Sequence, residues 1–227
     1  RLRMLTNMIE QHYNHPAVIL WGLGNENDWP GDQPVLDKEK IRAFMKELHD
    51  RSHALDPSRM TAIRRCDFCR DIIDVYSPSI WMGWYKGVFT DYKKESKQEF
   101  DRSNHFFHAE WGGDSHAGRH SEKIETWLQQ ALQKNSDSSF AEFARQAKNN
   151  DWSETYICNL FDWHLKEQET MPWLTGTAFW TFKDFATPVR PANPVPYVNQ
   201  KGVVQRDGTP KESFYVIQSW WKQQPMI

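Results

Sequence analysis

The sequence predicts an α/β fold, a parallel sheet with helices outside it, and it favours a (β/α) barrel over a doubly wound sheet. Three observations carry this. Short apolar runs alternate along the 227 residues with amphipathic helical patterns, as βαβ units require. Polar side chains gather at the C-terminal ends of those runs and come from several of them: Asn25 and Glu26, Tyr76, Glu110 and Asp184. A barrel draws its site from many strand ends, whereas a doubly wound sheet concentrates ligand contacts at one switch point and carries a glycine-rich phosphate loop, which is missing here.

The elements follow in order. Arg1 to His12 reads as a helix with Leu2, Leu5, Met8 and Ile9 on one face. No start methionine, signal peptide or capping segment precedes it, so the chain is expected to be a piece of a longer protein. His15-Pro16 stops that helix. Ala17 to Glu26 then opens with five apolar residues in a row and predicts a strand buried on both faces. Asp28 to Pro34 is loop. Lys38 to Leu55 is a helix, with Ile41, Phe44, Met45, Leu48 and Leu55 at helical spacing and Asp56-Pro57 as its stop. Met60 to Arg65, Ile72 to Ser77 and His105 to Glu110 are three further strands. Gly112 to Asp151 is long and polar, with a helix expected over Ser121 to Gln133; loops of such length more often mark function than idle insertion. Ser153 to Gln168 is a helix that turns Tyr156, Ile157, Leu160, Phe161, His164 and Leu165 inward. Leu174 to Phe182 is a fifth strand, Pro188 to Pro196 a proline-rich loop, and a last helix runs from near Lys211 to Trp220-Trp221.

Composition bounds the function classes. With 39% hydrophobic and 26% charged residues, the chain can build a substantial core and is not a disordered type. A net charge of −2, with both signs spread along the chain, provides neither a nucleic-acid footprint nor a polybasic membrane surface. No apolar run approaches the roughly 18 residues that span a bilayer. Cys66 and Cys69 form a C-x-x-C without the second pair that a zinc site needs, and Cys158 is remote, so packed thiols are expected. The compartment stays open, a periplasmic or secreted location being preferred to the cytoplasm. Twelve Trp, thirteen Phe and seven Tyr first imply a well-filled core. Trp21, Trp29, Trp81, Trp84 and Trp111 sit in loop-like surroundings, however, where flat ring faces suit sugar rings.

Two carboxylates at strand ends fit glycoside hydrolysis: Glu26 in Gly24-Asn25-Glu26, and Glu110 in Ala109-Glu110-Trp111-Gly112. One carboxylic acid protonates the leaving oxygen while the other carboxylate attacks the anomeric carbon or directs water to it. A gap of about 5–5.5 Å gives retention and about 6.5–9.5 Å gives inversion. Taken alone, an Asn-Glu at a strand end equally fits a helix cap.

The stretch AVILWGLGNEN resembles the acid/base signature of glycoside hydrolase family 2, the β-galactosidase, β-glucuronidase and β-mannosidase group. HFFHAEWGG resembles that family's nucleophile strand, and IWMGWYKG, TAFWTFKDF and NQKGVVQRDGTPK resemble three further stretches in the family's order. The resemblance implies a (β/α)8 TIM barrel of which residues 1–227 hold the C-terminal portion, strands four to eight only. The first three strands and the N-terminal β-sandwich domains are then expected in the remainder of the same polypeptide. It implies a retaining exo-β-glycosidase working by double displacement on a terminal β-linked sugar of an oligo- or polysaccharide, with Glu26 as acid/base and Glu110 as nucleophile. No cofactor is required beyond, at most, a structural Mg or Na ion, and a homo-oligomer is compatible. Asn25 resembles the asparagine that hydrogen-bonds the sugar 2-hydroxyl, and Trp180 the tryptophan that floors the sugar subsite. Asn199 and Lys201 resemble the Asn-x-Lys that binds a sugar carboxylate in β-glucuronidases, although related β-galactosidases carry similar strings. The leading substrate reading is a β-galactoside, with a β-glucuronide or other uronide as the alternative. Trp81 stands where the family has a tyrosine that contacts the nucleophile, and Tyr85 or Tyr76 is expected to substitute.

Other residues carry a plain reading beside a functional one. His108 shares a strand face with Glu110 and either meets the sugar or is a satisfied interior histidine. His108, His116, His120 and Asp114 in a metal-dependent hydrolase form a rival hypothesis, but their spacing matches no closed zinc pattern. Arg64 and Arg65 reach an acidic substrate or, more commonly, form outward salt bridges. Trp29 and Trp84 either line a leaving-group subsite or anchor loops. A non-catalytic carbohydrate-binding relative is the alternative of another class, and it predicts sugar binding without turnover.

Overall fold

A computed structural model describes residues 1–29, 31, 35–103, 105–121 and 152–224. The helix expected over Ser121 to Gln133 lies outside the described residues from residue 122 on. The chain divides into two compact units, one of residues 1–79, 97–109 and 173–177, the other of residues 80–96, 110–172 and 178–227.

The first unit is a parallel sheet under two helices. Its strands β1 (Leu20–Asn25), β2 (Met60–Arg64) and β3 (Val75–Ser77) pair in that order, all parallel. Parallel bridges from Tyr76 to Phe106 and from His108 to Thr177 carry the pairing onward. Five segments therefore neighbour one another in chain order with no reversal, the sequence of a barrel wall, whereas a doubly wound sheet reverses direction at its switch point. The described strands do not close into a barrel.

Helices α1 (Leu2–His12) and α2 (Lys38–Leu55) cover this sheet. Asp37 caps α2 by accepting from the Lys40 N–H at 3.1 Å, and the Asp56 N–H closes its other end on the Ser52 carbonyl. Met45 and Leu48 of α2, Leu5 and Ile9 of α1, and Trp21 and Ile63 of the strands are buried in one cluster. Each such fully buried side chain contributes about 1.5–3 kcal/mol.

Along β2, Thr61 and Ile63 face α2 while Ala62 and Arg64 face the other way. β1 starts with the same alternation, but its register against β2 shifts between Gly22 and Gly24. Gly24 then pairs with Ile63 and Asn25 with Arg64, so the extra residue moves Asn25 onto the face of Arg64. The expectation that β1 is buried on both faces does not hold: Ile19 is 69% exposed and Gly22 is exposed. β1 is the end strand of the described order, and only its helix-facing side is covered.

The expected strands over His105–Glu110 and Leu174–Phe182 shrink to short bridged segments. Past Thr177 the backbone bonds elsewhere: the Trp180 N–H donates to the Trp111 carbonyl at 2.8 Å and the Thr181 N–H to the Lys201 carbonyl at 3.0 Å.

The second unit packs α4 (Glu154–Glu169) against α5 (Glu212–Gln223). Ser153 caps α4 through the Tyr156 N–H, and the six residues expected to face inward are all buried. An antiparallel pair, β4 (Phe185–Ala186) with β5 (Val198–Asn199), flanks the proline-rich loop. Helix α3 (Tyr92–Phe100) was not expected, because YKKESKQEF has no apolar stripe and only Tyr92 and Ser96 are buried.

Asp56 holds the first unit together from beneath. Fully buried, it accepts from the Trp21 indole at 3.0 Å, from Ser58 twice and from Arg59 at 2.6 Å. Burial alone would push its carboxyl up; the hydrogen bonds from Ser58, Arg59 and Trp21 outweigh this and hold it well below the usual carboxylate range. Asp56→Ala strands the indole and the guanidinium, and urea denaturation of the complete protein should show a loss of about 3 kcal/mol at pH 7. Since the folded-state value is depressed, that stabilisation is present above about pH 3.9, the unfolded value, and fades as pH falls below it. The gap between Asp56→Asn and the parent should narrow in the same window.

Candidate active site

In the first unit, Glu26 follows directly on β1 in the left-handed region, at φ 52°, and its N–H donates to the Arg64 carbonyl at 2.9 Å. Arg64, 7% exposed, donates through Nη1 to Glu26 Oε1 and through Nη2 to Ser79 Oγ. Arg65 Nη1 approaches the same Glu26 oxygen at 3.4 Å, and its Nε lies 3.2 Å from Asp28. The Arg65 guanidinium also stacks over Trp29, 4.5 Å from the ring centroid. Both arginines thus form salt bridges, as residue type suggested, but these strap the Glu26–Trp29 turn to the end of β2 and leave Arg64 buried. Alternation accounts for Arg64, which shares the Ala62 face opposite Ile63 and α2; Arg65 lies past the end of β2, at φ 52°. Asn25 and Glu26 line an open groove of about 820 Å³ with Asn27, Asp37, Lys40 and Phe44.

His108 is fully buried, with its N–H on the Gly176 carbonyl, and Ser77 Oγ accepts from the next N–H, that of Ala109, at 2.8 Å. Tyr76 does not offer its hydroxyl to a nucleophile, as one expectation had it. That hydroxyl donates to Asp67 at 2.6 Å and accepts from the Cys66 N–H. Cys66 and Cys69 are buried free thiols, as expected. Trp21, expected near sugar, is a core residue bound to Asp56.

In the second unit, Glu110 is half-buried, and its backbone is anchored by the next two residues. The Trp111 ring is 1% exposed among Phe161, His164 and Phe179, and its carbonyl takes the Trp180 N–H. Gly112, at φ 132°, lets the backbone turn where a Cβ would press on the Trp180 carbonyl and the Phe161 ring. Trp180 itself stays 38% exposed, edge-on to Phe185.

Three of the expected substrate residues come together around one ammonium group. Lys201 Nζ, 2% exposed, lies 5.8 Å from the rings of Trp81 and Trp84 and 5.0 Å from that of Tyr85. It is paired with the fully buried Asp114 at 2.5 Å, whose other oxygen accepts from the Gln200 N–H. Asn199 Oδ1 accepts from the Lys201 N–H at 3.1 Å and shapes the turn. Arg190, from the proline-rich loop, donates to the Tyr85 hydroxyl and sits 5.7 Å from its ring.

A second buried ammonium lies beneath. Lys211, the N-cap residue of α5, donates to the carbonyls of Ser115 and Gln200 at 2.8 and 2.9 Å and to Asp184 at 3.0 Å. Burial pushes Lys211 down and Asp184 up from their ordinary values, each opposing the charge that the other restores. Asp184 also accepts from the Gly202 N–H at 2.8 Å. Lys211 closes the NQKGVVQRDGTPK stretch, but neither it nor Arg190 was given a role from sequence. A signal existed for Lys211, because a cation at a helix N-terminus opposes the dipole and calls for another reason to be there.

The rival histidine set does not assemble. His116 Nδ1 contacts the Gln200 amide at 3.1 Å and His120 lies 3.6 Å from Glu212. Among the described residues, neither His108 nor His116 belongs to a group of three candidate metal ligands.

The family model described as "Glycosyl hydrolases family 2, TIM barrel domain" matches residues 1–225. The chain belongs to that family. A putative β-glucuronidase of Formosa agariphila is 46% identical over 232 residues, which are 98% of this chain and 27% of the relative. Crystallised β-glucuronidases are similar as well. That of Parabacteroides merdae has 65% identity and a TM-score of 0.84, and covers 99% of this chain and 27% of its own. β-glucuronidase 3 of Bacteroides uniformis has 63% identity, a TM-score of 0.86, and the same 99% against 28%. The chain thus spans little more than a quarter of the length of these relatives. As part of a family 2 TIM barrel domain, its parallel strands carry their polar groups where such barrels place active sites, at the C-terminal strand ends.

Lys211→Met leaves Asp184 a buried charge without its cation. Denaturation of the complete enzyme should show a loss of about 3–5 kcal/mol.

Proposed function

We propose that this chain carries the catalytic carboxylate pair of a retaining β-glucuronidase. In this reading Glu26 is the acid/base, Glu110 is the nucleophile, and the Asn199-x-Lys201 turn with Tyr85 reads the carboxylate of the sugar. The observation that carries the substrate half is the charge around Tyr85. Two cations, Lys201 and Arg190, flank its ring; Lys201 is paired with Asp114, while Arg190 bonds the Tyr85 hydroxyl. Two against one leaves a positive excess beside a ring that is 42% exposed and so open to a ligand, which suits an anionic sugar and has no use for a neutral one. The relatives named β-glucuronidase support the same substrate class. The galactoside that led the sequence reading gives way to its alternative.

In the first step Glu110, ionised, attacks the anomeric carbon while Glu26 gives its proton to the leaving oxygen. In the second, Glu26 takes a proton from the water that displaces the sugar from Glu110. Asn25, set by the register shift on the face of Arg64, is the partner assigned to the 2-hydroxyl. The five strand segments are read as strands four to eight of the barrel, with the rest of the barrel supplied by the same polypeptide.

Glu110→Gln in the complete protein should lower kcat on an aryl β-glucuronide by on the order of 10³-fold or more with the fold intact by circular dichroism. Glu26→Ala should harm substrates with poor leaving groups far more than activated aryl ones, and azide should restore rate; a parent-like profile would remove the acid/base role. Arg190→Met and Tyr85→Phe should each lower kcat/KM for the β-glucuronide by roughly tenfold or more, and for the matching β-galactoside by little. Equal losses on both sugars would return the substrate to the neutral reading.

A further inference from the structure

His49, His53 and Asp74 lie at the opposite end of β2 from Glu26, and the glycosidase chemistry has no role for them. The two histidines are one helical turn apart on α2, so both rings leave the same face, with centroids 4.6 Å apart. Asp74 immediately precedes β3. Each of the three offers one ligand atom, and these atoms all lie within 4.8 Å of one another. Asp74 Oδ2 is 2.8 Å from His53 Nε2 and 4.0 Å from His49 Nδ1. Four-coordinate zinc, with bonds of about 2.0–2.1 Å, spaces its ligand atoms by roughly 3.3 Å, a value these two distances bracket.

We propose that His49, His53 and Asp74 form a structural site for a divalent transition-metal ion of the Zn²⁺ type, which clips α2 to the start of β3. Two imidazole nitrogens and one carboxylate oxygen suit zinc and its neighbours over magnesium or calcium, which take oxygen ligands throughout. The side chains are 20%, 35% and 28% exposed for His49, His53 and Asp74, so an ion can enter and water can complete the coordination. The surrounding contacts already orient the ligands. Thr61 donates to Asp74 Oδ2 through both N–H and Oγ1, at 2.8 and 2.9 Å, and its Oγ1 lies 2.8 Å from His49 Nδ1. Thr61 Oγ1 gives its own proton to Asp74, so His49 Nδ1 carries the hydrogen of the 2.8 Å contact and must release it to bind an ion. On binding, the metal replaces the His53–Asp74 and His49–Thr61 hydrogen bonds, and the proton of each imidazole moves to the other ring nitrogen or to water.

The role follows from position. Thr61 and Arg64 are three residues apart on β2, roughly 10 Å along the strand. Arg64 meets Glu26 at the C-terminal end, and the proposed ligands gather at the N-terminal end, which in a barrel governs stability. The other group of three, His120, Glu154 and Glu212, is a weaker candidate. Its His120 and Glu212 side chains are 53% and 51% exposed, well above any of the three proposed ligands.

The complete protein, stripped with a chelator and dialysed, is titrated with zinc chloride and followed by calorimetry and thermal unfolding. One equivalent should bind at micromolar or tighter Kd and raise Tm by several degrees at a hundredfold excess over Kd. His49→Ala/His53→Ala should lose that equivalent and the Tm shift, His120→Ala should keep both, and kcat on an aryl β-glucuronide should change less than twofold with zinc. Cobalt(II) in the unaltered protein should give the visible d–d bands of a four- or five-coordinate nitrogen and oxygen site, a readout that holds even if the double variant folds poorly. Absent bands, a zinc equivalent that survives the double variant, or turnover that depends on the metal would each overturn the proposal.

Discussion

An ammonium group taken out of water costs several kcal/mol unless a carboxylate and carbonyls replace its hydration. The second unit buries two of them, Lys201 and Lys211, and answers each with one carboxylate, Asp114 and Asp184. Their partners come from distant parts of the chain: the turn after Glu110, the segment ahead of β4, the Asn199–Gly202 turn and the start of α5. Satisfying both charges at once leaves these segments little freedom. The Glu110 turn and the Asn199-x-Lys201 turn are therefore parts of one hydrogen-bonded body, and the ring socket of Trp81, Trp84 and Tyr85 forms around a cation that is already fixed.

In the first unit, Asn25 and Glu26 are positioned by backbone means. Helix α2 holds the outward faces of β1 and β2, and the register shift in β1 rotates Asn25 to the opposite face. Arg64 then receives Glu26 because the strand's own alternation points it there. Order at the site is thus inherited from the packing of α1 and α2 on the other side of the sheet, with Asp56 satisfying the Trp21 indole beneath.

Much of this was legible in the chain itself. The end of α2 was set by Asp56-Pro57, and the buried faces of α2 and α4 by helical spacing, because local signals and tertiary burial agree there. Where they part, the reading fell short. Trp21 looked like a loop aromatic because its neighbours are glycines, yet it is a core side chain with a remote partner. Helix α3 has hardly any apolar signal, and the strands near Phe106 and Thr177 are shorter than their apolar runs because their hydrogen bonds are diverted. The carboxylate roles rested on the motifs around Glu26 and Glu110. The clasp of Lys211 depends on contacts across 96 positions for Ser115 and 27 for Asp184, which no window of sequence contains.

Glu26 and Arg65 both hold φ near 52°, a region that costs a residue with a side chain about 1–3 kcal/mol. A glycine would occupy either place with less strain, so drift under selection for stability alone would tend to erode both. If Glu26 is the proposed acid/base, the strained bends after β1 and β2 are places where the side chain matters more than the strain it costs. Thermostabilised descendants obtained by screening for folding alone would be expected to lose their carboxylate at the bend after β1 sooner than their core.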